Sequence, residues 1–250
     1  MADYIVTDAD MKSVADAIRK KAGSKLSMSF PTEFVSDIEN IPSATKPYTE
    51  ETYDNNGNLL TVKTHGNTDI RQNAYENCTT LTTIEMDNDT EYIRPKAFYG
   101  CTKLNTVALS SGLISIGADA FWGCSSLSSV EFPSNLKTID DRAFSQCTAL
   151  GRLSLSQLLE TIGDQAFMSC RSLGSVQIPP NVKAIGDDAF AYCSGMGLVT
   201  FLGKPNSIST TAFDSCVSLR TINVPWAEGA VAGAPWGATN ATVVYNYTGN

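Results

Sequence analysis

The residues of this 250-residue chain best suited to chemistry are its seven cysteines, and their spacing is regular. Cys78, Cys101, Cys124, Cys147, Cys170, Cys193 and Cys216 stand at one constant interval, with no cysteine off that lattice. Thiolates can bind metal, pair as redox couples or act as nucleophiles, but this pattern suits none of those roles. Zinc and redox sites use close pairs such as C-x-x-C, and the chain has none. A cysteine or serine nucleophile needs an oriented base, and the single histidine, His65, lies outside the regular part of the chain. Acidic residues recur on the same period, as Asp119, Asp141, Asp164, Asp187 and Asp188. They lack the closing glutamate of a calcium loop and read as a solvated ridge. Cysteine packs as a small hydrophobe, so the thiols read as structural, reduced and buried. The sequence therefore implies no metal, no cofactor and no enzyme.

The surroundings of the cysteines show what would bury them. Four residues before each stands Ala-aromatic, giving the column Tyr75, Phe98, Phe121, Phe144, Phe167, Phe190 and Phe213. Three residues after each comes Leu81, Leu104, Leu127, Leu150, Leu173, Met196 or Leu219. Ile84, Val107, Val130, Leu153, Val176, Val199 and Ile222 follow, and two further on Met86, Leu109, Phe132, Leu155, Ile178, Phe201 and Val224. This apolar-polar-apolar alternation marks a short strand in every unit. The isoleucines Ile70, Ile93, Ile116, Ile139, Ile162, Ile185 and Ile208 form a return column, and Gly117, Gly163 and Gly186 follow three of them at a turn. So small a unit cannot bury its apolar side alone, so successive units must stack. Strands about 4.8 Å apart would give a parallel sheet roughly 30 Å long, with the Ala-Phe segments as short helical turns opposite.

These units resemble the BspA-like, or treponemal, class of leucine-rich repeats. The run from Leu173 through Ile178, Pro179, Val182, Ile185-Gly186, Ala189-Phe190 and Cys193 matches that consensus almost throughout. Asp87, Ser110, Ser156 and Leu202 stand where the consensus has proline. Thr90 and Pro205 replace its mid-unit apolar residue. The expected fold is an α/β solenoid: a leucine-rich-repeat stack of seven 23-residue units over residues 66–225, with a parallel sheet on one face and helical turns on the other. A small helical cap precedes it and a β cap follows.

The ends break the period. Thr7 to Asp10 has capping-box form, and Met11, Val14, Ala15 and Ile18 share a helical face, which predicts a helix from about Asp8 to Lys21. Pro31 opens a second helix with Phe34, Val35, Ile38 and Ile41 as its apolar face. Residues 1–45 thus read as a helical cap or docking module. Residues 46–65 read as a hairpin or linker around Asp54-Asn55-Asn56-Gly57-Asn58. Over residues 226–250, Trp226 and Trp236 are large enough to plug the open end of the core, ahead of the strand-like Val243-Val244-Tyr245. The strings Met11 to Lys21, Ser29-Phe30-Pro31 and Phe34 to Ile38, and the C-terminal Ala234 to Thr242, resemble modules of tail-associated proteins of phages and prophages of gut Firmicutes. That resemblance implies docking to other tail proteins through residues 1–45 and a homo-oligomer, a trimer, held by the N-terminal helix.

The charge of -8 with scattered Lys and Arg excludes a phosphate-binding patch, hence nucleic acid as a partner. No stretch approaches the roughly 18 apolar residues of a membrane span, and the start lacks the basic and apolar regions of a Sec signal peptide. The side chains free for a partner are those between the inward columns. One row runs through Thr83, Thr106, Ser129, Arg152, Ser175 and Thr221, and the next through Glu85, Glu131, Ser154, Gln177, Thr200 and Asn223. Mostly small and hydroxylated, they suit a protein or glycan on a cell surface. The function expected is a non-catalytic binding protein: a phage or prophage tail-tip protein made in the bacterial cytoplasm and carried on the virion. A BspA-like surface adhesin and a cytosolic interaction scaffold are the alternatives.

Overall fold

The computed structural model describes residues 48–66 and 69–249. Residues 45–250 form one compact unit, a parallel β-solenoid of about eight turns, each coil laid on the one before. The helices expected over residues 1–45 lie outside the described residues.

Each coil contributes two strands. The front strands after the hairpin are Thr83–Glu85, Thr106–Ala108, Ser129–Glu131, Arg152–Ser154, Ser175–Ile178, Leu198–Phe201, Thr221–Asn223 and Thr242–Val244. The back strands are two residues long, from Asp69–Ile70 to Ser207–Ile208, and make one seven-stranded parallel sheet in sequence order. Its register pairs Ile70 with Ile93, Ile116 with Ile139 and Ile162 with Ile185, so the isoleucine column becomes a straight ladder. The front strands align Ile84 with Val107, Val130 with Leu153, and Val176 with Val199.

The Ala-Phe segments are turns, and among the described residues there is no helix. The expectation of helical turns fails for a backbone reason. Alternate amides donate outward to the next coil: Lys96 N–H to Ala118 O (2.9 Å), Phe98 N–H to Ala120 O (2.7 Å) and Gly100 N–H to Trp122 O (2.8 Å). The same pattern joins Arg142, Phe144 and Gln146 to Asp164, Ala166 and Met168. Those amides cannot also feed an i→i−4 ladder. Left-handed residues break the helix again, one before each alanine (Lys96, Asp119, Arg142, Gln165) and one before each cysteine (Gly100, Gly123, Gln146, Ser169). The turn segments thus act as a third inter-coil ladder.

The aromatic column stacks through the core. Ring centroids from Tyr75 to Phe213 follow at 5.4, 5.0, 5.0, 5.5, 5.3 and 5.5 Å with planes nearly parallel. Phe98, Phe121, Phe144, Phe167, Phe190 and Phe213 are fully buried. The periodic aspartates are structural as well. Asp141 Oδ1 accepts from Asp164 N–H at 2.9 Å and Asp164 Oδ1 from Asp187 N–H at 2.8 Å. A Cβ at Gly186 would sit 2.3 Å from Asp164 Oδ1, so the glycine after the isoleucine is required by that close approach.

Both ends depart from plain repetition. The strands Tyr48–Tyr53 and Leu59–His65 form an antiparallel hairpin, and the second pairs in parallel with Thr83–Glu85, so it begins the front sheet. Residues 226–249 continue the coil. Thr242–Val244 adds to Thr221–Asn223 with Val243 opposite Ile222. Trp236 stands one full period after Phe213 and accepts its amide at 2.9 Å, taking the aromatic place of an eighth turn. The Trp226 and Trp236 rings meet edge-on at 6.4 Å over Phe201, with Trp236 fully buried.

Phe144 sits between Phe121 and Phe167 with Phe132 edge-on at 5.4 Å. Phe144→Ala should therefore cost about 3–5 kcal/mol in urea unfolding, the range for a deleted core phenylalanine. Tyr75→Ala, at the half-buried end of the column, should cost less than half as much.

Candidate functional site

The thiol column is a hydrogen-bonding device. Each Sγ from Cys101 to Cys216 donates to the carbonyl of the aromatic residue one coil back: Cys101 to Tyr75 (3.1 Å), Cys124 to Phe98 (3.3 Å), Cys147 to Phe121 (3.2 Å), Cys170 to Phe144 (3.3 Å), Cys193 to Phe167 (3.2 Å) and Cys216 to Phe190 (3.1 Å). That carbonyl also accepts the amide of the cysteine three residues on, as Cys147 N–H to Phe144 O at 3.2 Å. Burial pushes the Cys101 and Cys170 thiols up to about 12 and raises those of Cys124 and Cys147 as well. They stay protonated, which is the form that donates. Cys78 differs from the expectation of full burial: it is half-buried, with Sγ 4.0 Å from Thr80 Oγ1. It opens the column, and one period earlier the chain has Asn55, in the hairpin turn, so no repeat coil underlies it.

His65 Nε2 lies 3.2 Å from Glu50 Oε1 across the hairpin. Among the described residues no group of His, Cys, Asp or Glu could hold a metal ion.

The front sheet face carries the rest of the polar side chains in question. Glu85, Thr106, Ser129, Glu131, Arg152, Ser154, Ser175 and Gln177 are exposed, and Thr83 and Thr221 are half-buried. Thr200 and Asn223 are buried, each only 8% exposed. They face one another across adjacent strands, Asn223 Nδ2 donating to Thr200 Oγ1 at 3.4 Å, so they do not present to a ligand as expected. Lys63 joins the face unannounced, since it belongs to the hairpin rather than the repeat. The register of Val62 with Ile84 puts its Nζ 3.6 Å from Glu85 Oε2.

The front face is not continuous. Its hydrogen-bond ladder is interrupted twice, between Thr106–Ala108 and Ser129–Glu131 and between Arg152–Ser154 and Ser175–Ile178. The strands stay neighbours across both gaps. The core residue just before each gap is half-exposed, Val107 in one and Leu153 in the other, whereas Val130, Val176, Val199 and Ile222 in the same column are 4% exposed or less. At the second gap a groove of about 250 Å³ is lined by Leu153, Ser154, Leu155, Gln157, Ser175, Gln177 and Leu202. It gathers Ser154, Ser175 and Gln177 from the two expected rows. Gln157 and Leu202 were not expected there. Leu202 left a trace in the sequence as an apolar residue in the proline column, and it is 44% exposed.

Stacked coils, a reduced thiol column and a polar sheet face define a leucine-rich-repeat solenoid, a class of typically non-catalytic binding proteins. The chain belongs to the BspA type leucine rich repeat family, six copies of which match residues 68–197. The leucine-rich repeat protein of Treponema pallidum has the same fold, at 24% identity and a TM-score of 0.55 over 72% of this chain and 90% of that one. A leucine-rich repeat protein of Bacteroides ovatus is 27% identical, with a TM-score of 0.53 over 71% of this chain. This chain spans less than half of that protein, 46% of its length. No curated protein matches it.

The buried thiols make stability depend on pH. A thiol that ionises near 9 when unfolded and near 12 when folded holds its proton in the native state alone between those values. From neutral pH, stability should be level to about pH 8 and fall as pH rises above 9, read as the urea midpoint against pH. At pH 8 iodoacetamide should alkylate Cys78 in the native protein and the other six thiols only after unfolding.

Proposed function

We propose that this chain is a receptor-binding protein of a phage or prophage tail tip, whose front sheet face holds a protein or glycan of a host cell surface. One observation carries the binding part of this reading. Exposed side chains along the front rows change from coil to coil, through Thr106, Ser129, Arg152 and Ser175 in one row and Glu85, Glu131, Ser154 and Gln177 in the next. The Cys, Phe and Ile columns beneath them repeat almost unchanged. A stiff scaffold that varies only its outward residues can alter recognition without cost to the fold. The resemblance of both chain ends to tail-associated modules supports the tail placement, with residues 1–45 attaching to other tail proteins and the chain acting as a trimer on the virion.

A second reading, a bacterial surface adhesin, is favoured by the family itself. The two differ in where the protein is found. Particles induced from the source bacterium should carry the chain in their tail fraction, and its recovery from the cell envelope alone would select the adhesin.

The front face is tested on intact Gram-positive cells with the full chain. Arg152 and Glu131 are exposed and lie on adjacent strands. Replacing both by alanine should weaken cell binding at least about tenfold, equivalent to about 1.4 kcal/mol, with the thermal midpoint unchanged. Undiminished binding would remove the front face as the recognition surface.

A further inference from the structure

We infer that the groove between Arg152–Ser154 and Ser175–Ile178 binds one ring of a neutral glycan. This rests on the front face being the recognition surface and names the chemistry it recognises. Ser154 and Ser175 supply hydroxyls, and Gln157 and Gln177 supply amides. Each of the four can both donate and accept a hydrogen bond, and no ionised side chain lines the groove. That combination matches the vicinal hydroxyls of a sugar, which also donate and accept, and offers nothing to neutralise a carboxylate or phosphate. Leu153 and the buried Leu155 complete the lining, and the exposed Leu202 supplies the apolar surface on which the C–H face of a ring can lie.

Size and access agree. A groove of about 250 Å³ is smaller than the 300–1,000 Å³ typical of drug-sized ligands and suits a single ring of a longer chain. Ser154, Gln157, Ser175 and Gln177 are all exposed, so the groove opens to solvent. An extended peptide fits less well. Strand addition needs a free sheet edge, and the two strands flanking the gap remain neighbours. A buried peptide side chain would want an apolar pocket, whereas these walls are polar.

The test uses the full-length chain and neutral oligosaccharides of hexose and N-acetylhexosamine. Titration should shift the side-chain amide resonances of Gln157 and Gln177. Gln157→Ala with Gln177→Ala should reduce affinity at least tenfold, while Glu76→Ala, exposed in the turn before Cys78, should retain it. Both glutamines are exposed, so the double variant should keep its unfolding midpoint. On intact cells, periodate oxidation of surface diols should abolish binding and protease treatment should not. Failure of every neutral oligosaccharide to bind, or shifts confined to other residues, would overturn the inference. If cell binding is lost with Arg152 and Glu131 but survives periodate and the glutamine substitutions, the front face stands and the groove does not. Sensitivity to protease would then identify a protein receptor.

Discussion

The fold depends on one unusual acceptor, the carbonyl of the aromatic residue in each turn. It points into the core, where an unmet carbonyl costs free energy, and two donors reach it. One is the amide of the cysteine three residues on, and the other is the thiol of the next coil. Only a small side chain with an apolar body and a weak donor fits there. Serine would bring a more strongly hydrated group, and alanine would leave half of the acceptor unmet. The spacing therefore reflects carbonyl geometry rather than metal or redox chemistry. The same contact fixes the distance between coils and brings the phenylalanine rings face to face at 5.0–5.5 Å.

A frame this regular makes its irregularities informative. The back sheet is continuous through seven strands, yet the front sheet is interrupted twice. The core tolerates the gaps because the turn ladder and the thiols keep the coils in register elsewhere. Glycines stand at the start of three successive front strands, Gly151, Gly174 and Gly197, around the second gap. At that gap the partly buried Leu153 lines a groove. Polar side chains thus gather where the repeat is least perfect.

The columns were legible because each is a buried ladder, and a buried ladder restricts residue type. Strand positions, the fully buried phenylalanines and the burial of six of the seven thiols follow from period and polarity alone. Two kinds of feature were not legible. The Ala-Phe turns look helical in a one-dimensional pattern, and only their amide partners, lying in the next coil rather than in the same turn, show otherwise. The groove escapes because lost strand pairing leaves no mark in the period. Thr200 and Asn223 look as free as their row-mates until their mutual contact is seen. Trp236 lies on the lattice of the aromatic column, but its coil lacks the cysteine, which hid the eighth turn.

The hairpin strand Tyr48–Tyr53 runs against the direction of every other front strand. A second molecule stacking its own parallel coils beneath the first would meet main-chain groups in antiparallel order, out of phase with the repeat. The opposite end, finished by Thr242–Val244, keeps parallel order. The described front sheet therefore carries a polarity: the strand at one edge cannot template a further parallel coil in phase with the repeat, whereas the strand at the other edge can.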